Sequence, residues 1–234
     1  MFNVFVTNSK NETGIDPRVV AYYNPGSTIF EQYRNIRTYL NSINGGETFR
    51  SMIIASANRQ EGKSITAVNL ALAMAEEKEK KIVLVNADFR FPVIEKLLNT
   101  PAGLGLSEFL KGQAQLDNIL TKTYFNNLTL VPAGEIPAHP AELLASQKMK
   151  DLIAELEKEF DYVLFDTPAL IPFADARILA PCVDGVLLTV QAGKTRREVL
   201  WRTQEQIKNL HTKLLGVILT QVEYYIPEYI HRHL

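Results

Sequence analysis

A chain of 234 residues, 46% hydrophobic and 22% charged, has the length for one large domain with a buried core and the make-up of an ordinary globular protein. Its net charge of −1 supplies no basic field for nucleic acid, which is not expected as a partner. The single cysteine, Cys182, excludes an internal disulfide and fits a reducing compartment, and no run approaches the roughly 20 apolar residues of a membrane helix.

Residues 1–26 are polar and interrupted by Gly14, Pro17 and Pro25, which reads as an N-terminal arm. The opening M-F-N-V-F-V-T-N-S-K has no basic start, and its apolar run is too short for a signal peptide. Ser27 can cap a helix with Phe30, Tyr33, Ile36, Tyr39 and Leu40 at helical spacing, ended by Gly45-Gly46. Short apolar strands then alternate with amphipathic helices. The strands are expected at 51–56, 81–85, 128–131, 162–166, 185–190 and 216–220, and the helices at 63–76, 92–98, 106–111, 141–158, 174–180 and 195–209. Strands apolar on both faces, separated by helices, indicate a parallel sheet covered on two sides. The fold class is therefore α/β, doubly wound, with ligands at the carboxyl ends of the strands. One domain over 27–221 is expected, followed by a tail over 222–234.

After the first strand, Ala57 to Ser64 read A-N-R-Q-E-G-K-S, a Walker A loop whose first glycine is Ala57. A loop leading into a helix offers several backbone N–H groups to an anion. Asn58, Arg59, Gln60, Glu61, Gly62, Lys63, Ser64 and Ile65 are the candidate nucleotide-binding positions. In this motif the glycine admits the phosphate, the lysine reaches the β- and γ-phosphates, and the hydroxyl of Ser64 faces Mg²⁺. A surface loop containing G-K-S by accident would lack the strand before it and the amphipathic helix after it. F-D-Y-V-L-F-D-T-P is an apolar strand ending in Asp166, which beside a phosphate loop reads as a Walker B acid. Asp88, at the end of K-I-V-L-V-N-A-D-F-R, is the third candidate around the metal, and Asn86 precedes it by two residues.

E-G-K-S, V-N-A-D-F-R-F-P, G-L-S-E-F-L-K-G, V-P-A-G-E-I-P-A-H-P-A-E-L-L-A-S, F-D-Y-V-L-F-D-T-P and D-G-V-L-L-T-V-Q-A-G-K-T-R follow one another in that order. Over residues 27–220 the chain resembles the cytoplasmic domain of the bacterial tyrosine kinases that control capsule and exopolysaccharide export. The resemblance implies a P-loop fold akin to the ParA and MinD ATPases, with ATP and Mg²⁺ as cofactors. The signature lysine of those ATPases is replaced here by Asn58, which disfavours a positioning ATPase. By resemblance Lys63, Asp88, Asp166 and Asn86 hold the catalytic positions, with Ser64, Asp88 and Asp166 around the metal. The family box Asp-x-Asp-x-Arg keeps Asp88 and Arg90, but its first acid is Asn86, the position thought to accept the tyrosine proton. An amide cannot accept that proton and is a weaker metal ligand. A positioned base contributes about 10²–10⁴-fold, so two readings stay open: a kinase, of full or reduced activity, and an ATP-binding scaffold that phosphorylates nothing.

Glu31, Arg34 and Arg37 step about 60° apart on the first long helix and share a polar face. Alone they read as a surface ion pair with a spare arginine; by resemblance this spacing marks the subunit contact of a ring-shaped homo-oligomer. Tyr224, Tyr225 and Tyr229 crowd the tail and by resemblance are autophosphorylation sites, while Ile226, Pro227 and Ile230 leave a docked tail open. Gln221 stands where the family often has an asparagine beside the base. His139 reads as a helix-start or exposed residue and Cys182 as a small apolar one. A membrane adaptor resembling a polysaccharide co-polymerase is the implied partner, which would hold a cytoplasmic protein at the inner face of the membrane.

Overall fold

The computed structural model describes residues 13–43 and 49–222. In chain order the elements are α1 (Val20–Tyr23), α2 (Thr28–Ile43), β1 (Ser51–Ser56), α3 (Lys63–Ala75), β2 (Ile82–Asn86), α4 (Ile94–Leu98), α5 (Leu106–Leu110), α6 (Leu116–Ile119), β3 (Thr121–Lys122), β4 (Leu128–Val131), α7 (Pro140–Leu144), α8 (Gln147–Glu159), β5 (Tyr162–Asp166), α9 (Asp175–Leu179), β6 (Gly185–Gln191), α10 (Arg197–Asn209) and β7 (Lys213–Thr220). A turn of 3₁₀ helix, Ala180–Cys182, follows α9. The strands form one sheet in the order β3-β4-β2-β5-β1-β6-β7. Every pair is parallel except β3 with β4.

Every residue of β1, β2 and β5 is buried, as expected of central parallel strands covered on both faces. One core lies on each side of the sheet. Phe165, Val83 and Ile53 point into the layer holding α5, α8 and α9, while Leu164, Leu84 and Ile54 point into the layer of α2, α3 and α4. Helix α3 is buried along most of its length, since it starts at the phosphate loop and crosses behind the sheet beneath α2.

Three local features differ from the sequence reading. The helix expected over 141–158 is two helices: the Ser146 hydroxyl accepts the N–H of Met149 at 3.2 Å and caps a new start, which Pro140 and the 3.6-residue period do not reveal. Helix α6 and the two-residue β3 were not anticipated, being too short to show a period. The N-terminal arm packs on the domain in its described part: Ile15 and Val19 are 1% exposed, and Asn69 of α3 donates to the Arg18 carbonyl and accepts from the Ala21 N–H. Two apolar residues among polar neighbours anchor that segment, and the average polarity hides them.

Candidate nucleotide and phosphoryl-transfer site

The strand order sets β1 between β5 and β6 and β2 beside β5, so the carboxyl ends of β1, β2 and β5 emerge together. Ile54 and Asn86 are both register partners of Asp166. This juxtaposition brings Asn58–Ser64, Asn86–Arg90 and Asp166 to one end of the sheet.

The loop from Ala57 ends at Gly62, the residue before α3, in the left-handed region at φ 81°. A Cβ there would lie 3.3 Å from Thr220 of β7, so both the turn and the packing favour glycine. Gln60 is also left-handed, at φ 64°. Glu61 turns inward, 3% exposed: its carboxylate accepts from the Asn58 N–H (3.0 Å), the Asn58 amide (3.1 Å) and the Thr195 hydroxyl (2.6 Å). Thr220 donates to the Glu61 carbonyl at 2.8 Å, and Gln221 bridges the Gln191 amide and the Gln60 carbonyl. The loop is thus tied to the ends of β6 and β7, and Glu61 holds its shape from within. The guanidinium of Arg59 lies 3.7 Å from the centre of the half-exposed Phe91 ring at the mouth. Ile65, in the first turn of α3, packs against the core on that side.

Lys63 Nζ sits 3.3 Å from Asp88 Oδ2 and 3.7 Å from Asp166 Oδ1. The other oxygen of Asp88 accepts the backbone N–H groups of Arg90 (3.1 Å) and Phe91 (2.9 Å), which fixes the carboxylate at the end of β2. Arg90 pairs with the buried Asp175 at 3.3 Å, locking the same turn against α9. Asp166 is held differently. It is fully buried, and among the described residues neither of its carboxylate oxygens has a hydrogen-bond partner. Burial pushes its pKa up to about 6, reinforced by Asp88, while Lys63 and Ser64 only partly offset the rise. An orphaned buried carboxylate is costly and calls for a cation.

Asp88, Asp166 and the Ser64 hydroxyl are hard oxygen donors at a helix start, a donor set that fits Mg²⁺. Among the described residues no three His, Cys, Asp or Glu side chains gather as a complete metal cage. Mg²⁺ commonly takes one or two carboxylates and completes its shell with phosphate oxygens and water.

Asn86 is fully buried and spends its amide on the scaffold: Oδ1 accepts the Asp88 N–H at 3.3 Å and Nδ2 donates to Glu95 Oε2 at 2.7 Å. Glu95 was not singled out in the sequence, because α4 carries it nine residues along the chain and only folding brings the two together.

Glu31, Arg34 and Arg37 lie on α2, away from the strand ends. Arg34 grips Glu76 through two hydrogen bonds (2.6 and 2.8 Å) and meets Glu31 at 2.9 Å; Arg37 reaches the Ala73 carbonyl, Glu76 and Glu77. The two arginines therefore tie α2 to the carboxyl end of α3 within one chain, while Glu31 stays more than half exposed. Tyr224, Tyr225 and Tyr229 lie outside the described residues. His139 is largely exposed and precedes α7 without a side-chain cap, and Cys182 is a partly buried free thiol.

A left-handed glycine before a buried helix, with a lysine and two strand-end acids converging on it, defines a P-loop nucleotide-binding protein of the α/β class. Residues 51–218 match the family AAA_31, described as an AAA domain. Over 201 residues the chain is 36% identical to tyrosine-protein kinase YwqD of Bacillus subtilis, covering 86% of this chain and 84% of that protein. It is 35% identical over 202 residues to the succinoglycan biosynthesis transport protein ExoP of Rhizobium meliloti, covering 85% of this chain and 26% of that longer protein. Among solved structures, the chimerical protein CapA2B2 superposes with a TM-score of 0.84 at 28% identity, covering 88% of this chain and 91% of that one. The chain belongs to the bacterial tyrosine-protein kinase family of P-loop proteins.

Proposed function

We propose that the protein is an ATP- and Mg²⁺-dependent protein-tyrosine autokinase that regulates capsule or exopolysaccharide biosynthesis and export. The observation that carries this reading is the convergence of Lys63, Asp88 and the orphaned carboxylate of Asp166 at the start of α3. The N–H groups of residues 60–64 bind the β- and γ-phosphates. Lys63 leaves its two acids for the phosphate oxygens and stabilises the charge that spreads over the transferred group. Ser64, Asp88 and Asp166 are the residues that would hold Mg²⁺, and the ion would supply neutralisation of the phosphate charge. Arg90 and Glu61 keep Asp88 and the loop in position. The acceptors are Tyr224, Tyr225 and Tyr229, presented by a neighbouring copy in a ring whose contacts include Glu31, Arg34 and Arg37. Kinship with proteins named for tyrosine phosphorylation and for succinoglycan transport supports this setting. The proposed partner is a membrane adaptor of the polysaccharide co-polymerase kind; among the described residues no helix is long and apolar enough to cross a membrane.

A second reading, a nucleotide-dependent scaffold, rests on Asn86, whose amide cannot take a proton. One experiment separates the two. Purified protein given ATP and Mg²⁺, alone and with its adaptor, gains phosphate on Tyr224, Tyr225 or Tyr229 by mass spectrometry. Protein that binds ATP and stays unmodified in both settings contradicts the kinase reading.

A further inference from the structure

The mouth of the site carries a stack of arginines and aromatic rings. The Arg59 guanidinium lies 3.7 Å from the centre of the Phe91 ring, Phe91 stands 6.2 Å from Phe173, and the Arg90 guanidinium covers Phe173 at 4.7 Å. Arg90 is tied to the buried Asp175, whereas Arg59 is exposed and makes no ion pair among the described residues. Stacking on Phe91 restrains Arg59 without neutralising it, so a positioned positive charge stays open to an anion from outside. The stack borders the reacting groups. One oxygen of Asp88 meets Lys63 Nζ at 3.3 Å and the other accepts the Phe91 N–H at 2.9 Å. The loop after Asp166 is bonded to the start of the phosphate loop, Leu170 N–H to the Ser56 carbonyl (2.8 Å) and Ile171 N–H to the Ala57 carbonyl (3.2 Å). Phe91 and Ile171 are 43% and 44% exposed, so both loops bring apolar surface to the mouth. A hydroxyl bound for a phosphate beside Lys63 and Asp88 passes this rim. The proposed acceptors carry the matching charge: Tyr224 follows Glu223 and Tyr229 follows Glu228, whereas Tyr225 follows a tyrosine.

We infer that Arg59, held on Phe91, pairs with the carboxylate of the residue preceding the acceptor tyrosine, while the tyrosine ring rests against Phe91 and Ile171. The inference rests on the kinase reading above and names its substrate: a tyrosine preceded by glutamate, on the tail of a second copy of this chain. Consecutive Cα atoms are about 3.8 Å apart, a spacing at which one side chain enters the mouth while its neighbour meets Arg59. Arg59 and Phe91 set specificity and take no part in bond making. Tyr224 and Tyr229 are therefore labelled ahead of Tyr225.

Phosphorylation between copies tests this by a ratio within one molecule. The acceptor is the full chain carrying Lys63→Ala and Tyr225→Phe, and the enzyme is the full chain carrying Tyr224→Phe, Tyr225→Phe and Tyr229→Phe. Mass spectrometry reads initial labelling at Tyr224 relative to Tyr229, so any change in nucleotide affinity cancels. Glu223→Gln in the acceptor lowers this ratio about tenfold, the scale of one charge-assisted hydrogen bond; this comparison needs no change at Arg59. With Arg59→Glu in the enzyme the order reverses, and an acceptor with Glu223→Lys is labelled at Tyr224 faster than the native tail. Should Arg59→Glu transfer no phosphate, Arg59→Gln gives the same comparison, and the effect of Glu223→Gln shrinks to about twofold or less. A ratio indifferent to Glu223→Gln when Arg59 is present, or an Arg59 variant that keeps the preference for Glu223, overturns the assignment and leaves the kinase reading intact. No label on any acceptor from an enzyme that retains Arg59 removes that reading instead.

Discussion

Two clusters of charge, one at the strand ends and one between α2 and α3, have similar membership and opposite character. Around α2, Glu31, Arg34, Arg37, Glu76 and Glu77 lie near the surface, and every acid there meets an arginine at 3.4 Å or less. At the strand ends Asp88 and Asp166 are buried and share the single partly buried Lys63, and neither oxygen of Asp166 has a hydrogen bond. Surface pairs gain little over water and stabilise weakly. A buried carboxylate without hydrogen bonds costs stability and persists where a ligand repays it. The contrast separates charges that hold helices together from charges kept ready for a phosphate and a cation.

The largest expected effect breaks the buried cluster. Lys63→Ala removes the cation proposed to meet the transferred phosphoryl group, and autophosphorylation measured by anti-phosphotyrosine blotting should fall by at least about 10²–10³-fold. It also leaves Asp88 and Asp166 facing each other uncompensated, so the ligand-free protein melts lower.

The second sharpens the contrast by pH. The pKa of Asp166 stands at about 6 in the fold, against 3.8 for an ordinary aspartate, so between these values the native state holds more protons than the unfolded state. Stability therefore falls as pH rises through this window, by about 3 kcal/mol for this group. Asp16, Glu76 and Asp161 act in the opposite sense: their pKa values are lowered, chiefly by bonds to Arg18, Arg34 and the Lys81 backbone respectively, so their stabilisation is lost as pH falls below the ordinary carboxylate range. Subtracting the melting curves of Asp166→Asn from those of wild type isolates Asp166. The difference should grow between about pH 4 and pH 6; a flat difference would show that the carboxylate is already satisfied.

Gly62→Ala comes third. A side chain in the left-handed region costs about 1–2 kcal/mol, and here it also presses on Thr220. The expected result by calorimetry is ATP affinity lowered about tenfold with the fold retained. Arg37→Ala in the surface cluster should move stability least, by about 1 kcal/mol or less in denaturant titrations, while its size-exclusion profile reports whether this face also joins subunits.

The difference between the clusters also explains what was legible in the sequence. The phosphate loop, both acids and the central strands could be read because each is local: a run of apolar residues, a fixed spacing, an acid at a strand end. The β1–β5–β2 neighbourhood that joins them is topological, and only the motif order hinted at it. Glu61 was visible as a loop member but not as the inward brace that holds Asn58 and Thr195, since its partner on the far side lies 134 residues away. Glu95 carried no signal, as an acid in the first turn of a short helix is unremarkable by itself. Asn86 was visible as a departure, but its meaning depends on the neighbour that folding supplies. The anchoring of the lead-in by Ile15 and Val19 was hidden for the same reason.

The claim that the buried cluster transfers phosphate to tyrosine is tested most directly by product stoichiometry. Wild-type protein incubated with ATP and Mg²⁺ under single-turnover conditions should form ADP and phosphotyrosine in equal amounts, and Lys63→Ala should form neither. ADP released with inorganic phosphate and no phosphotyrosine would contradict the account and identify an ATPase in place of a kinase.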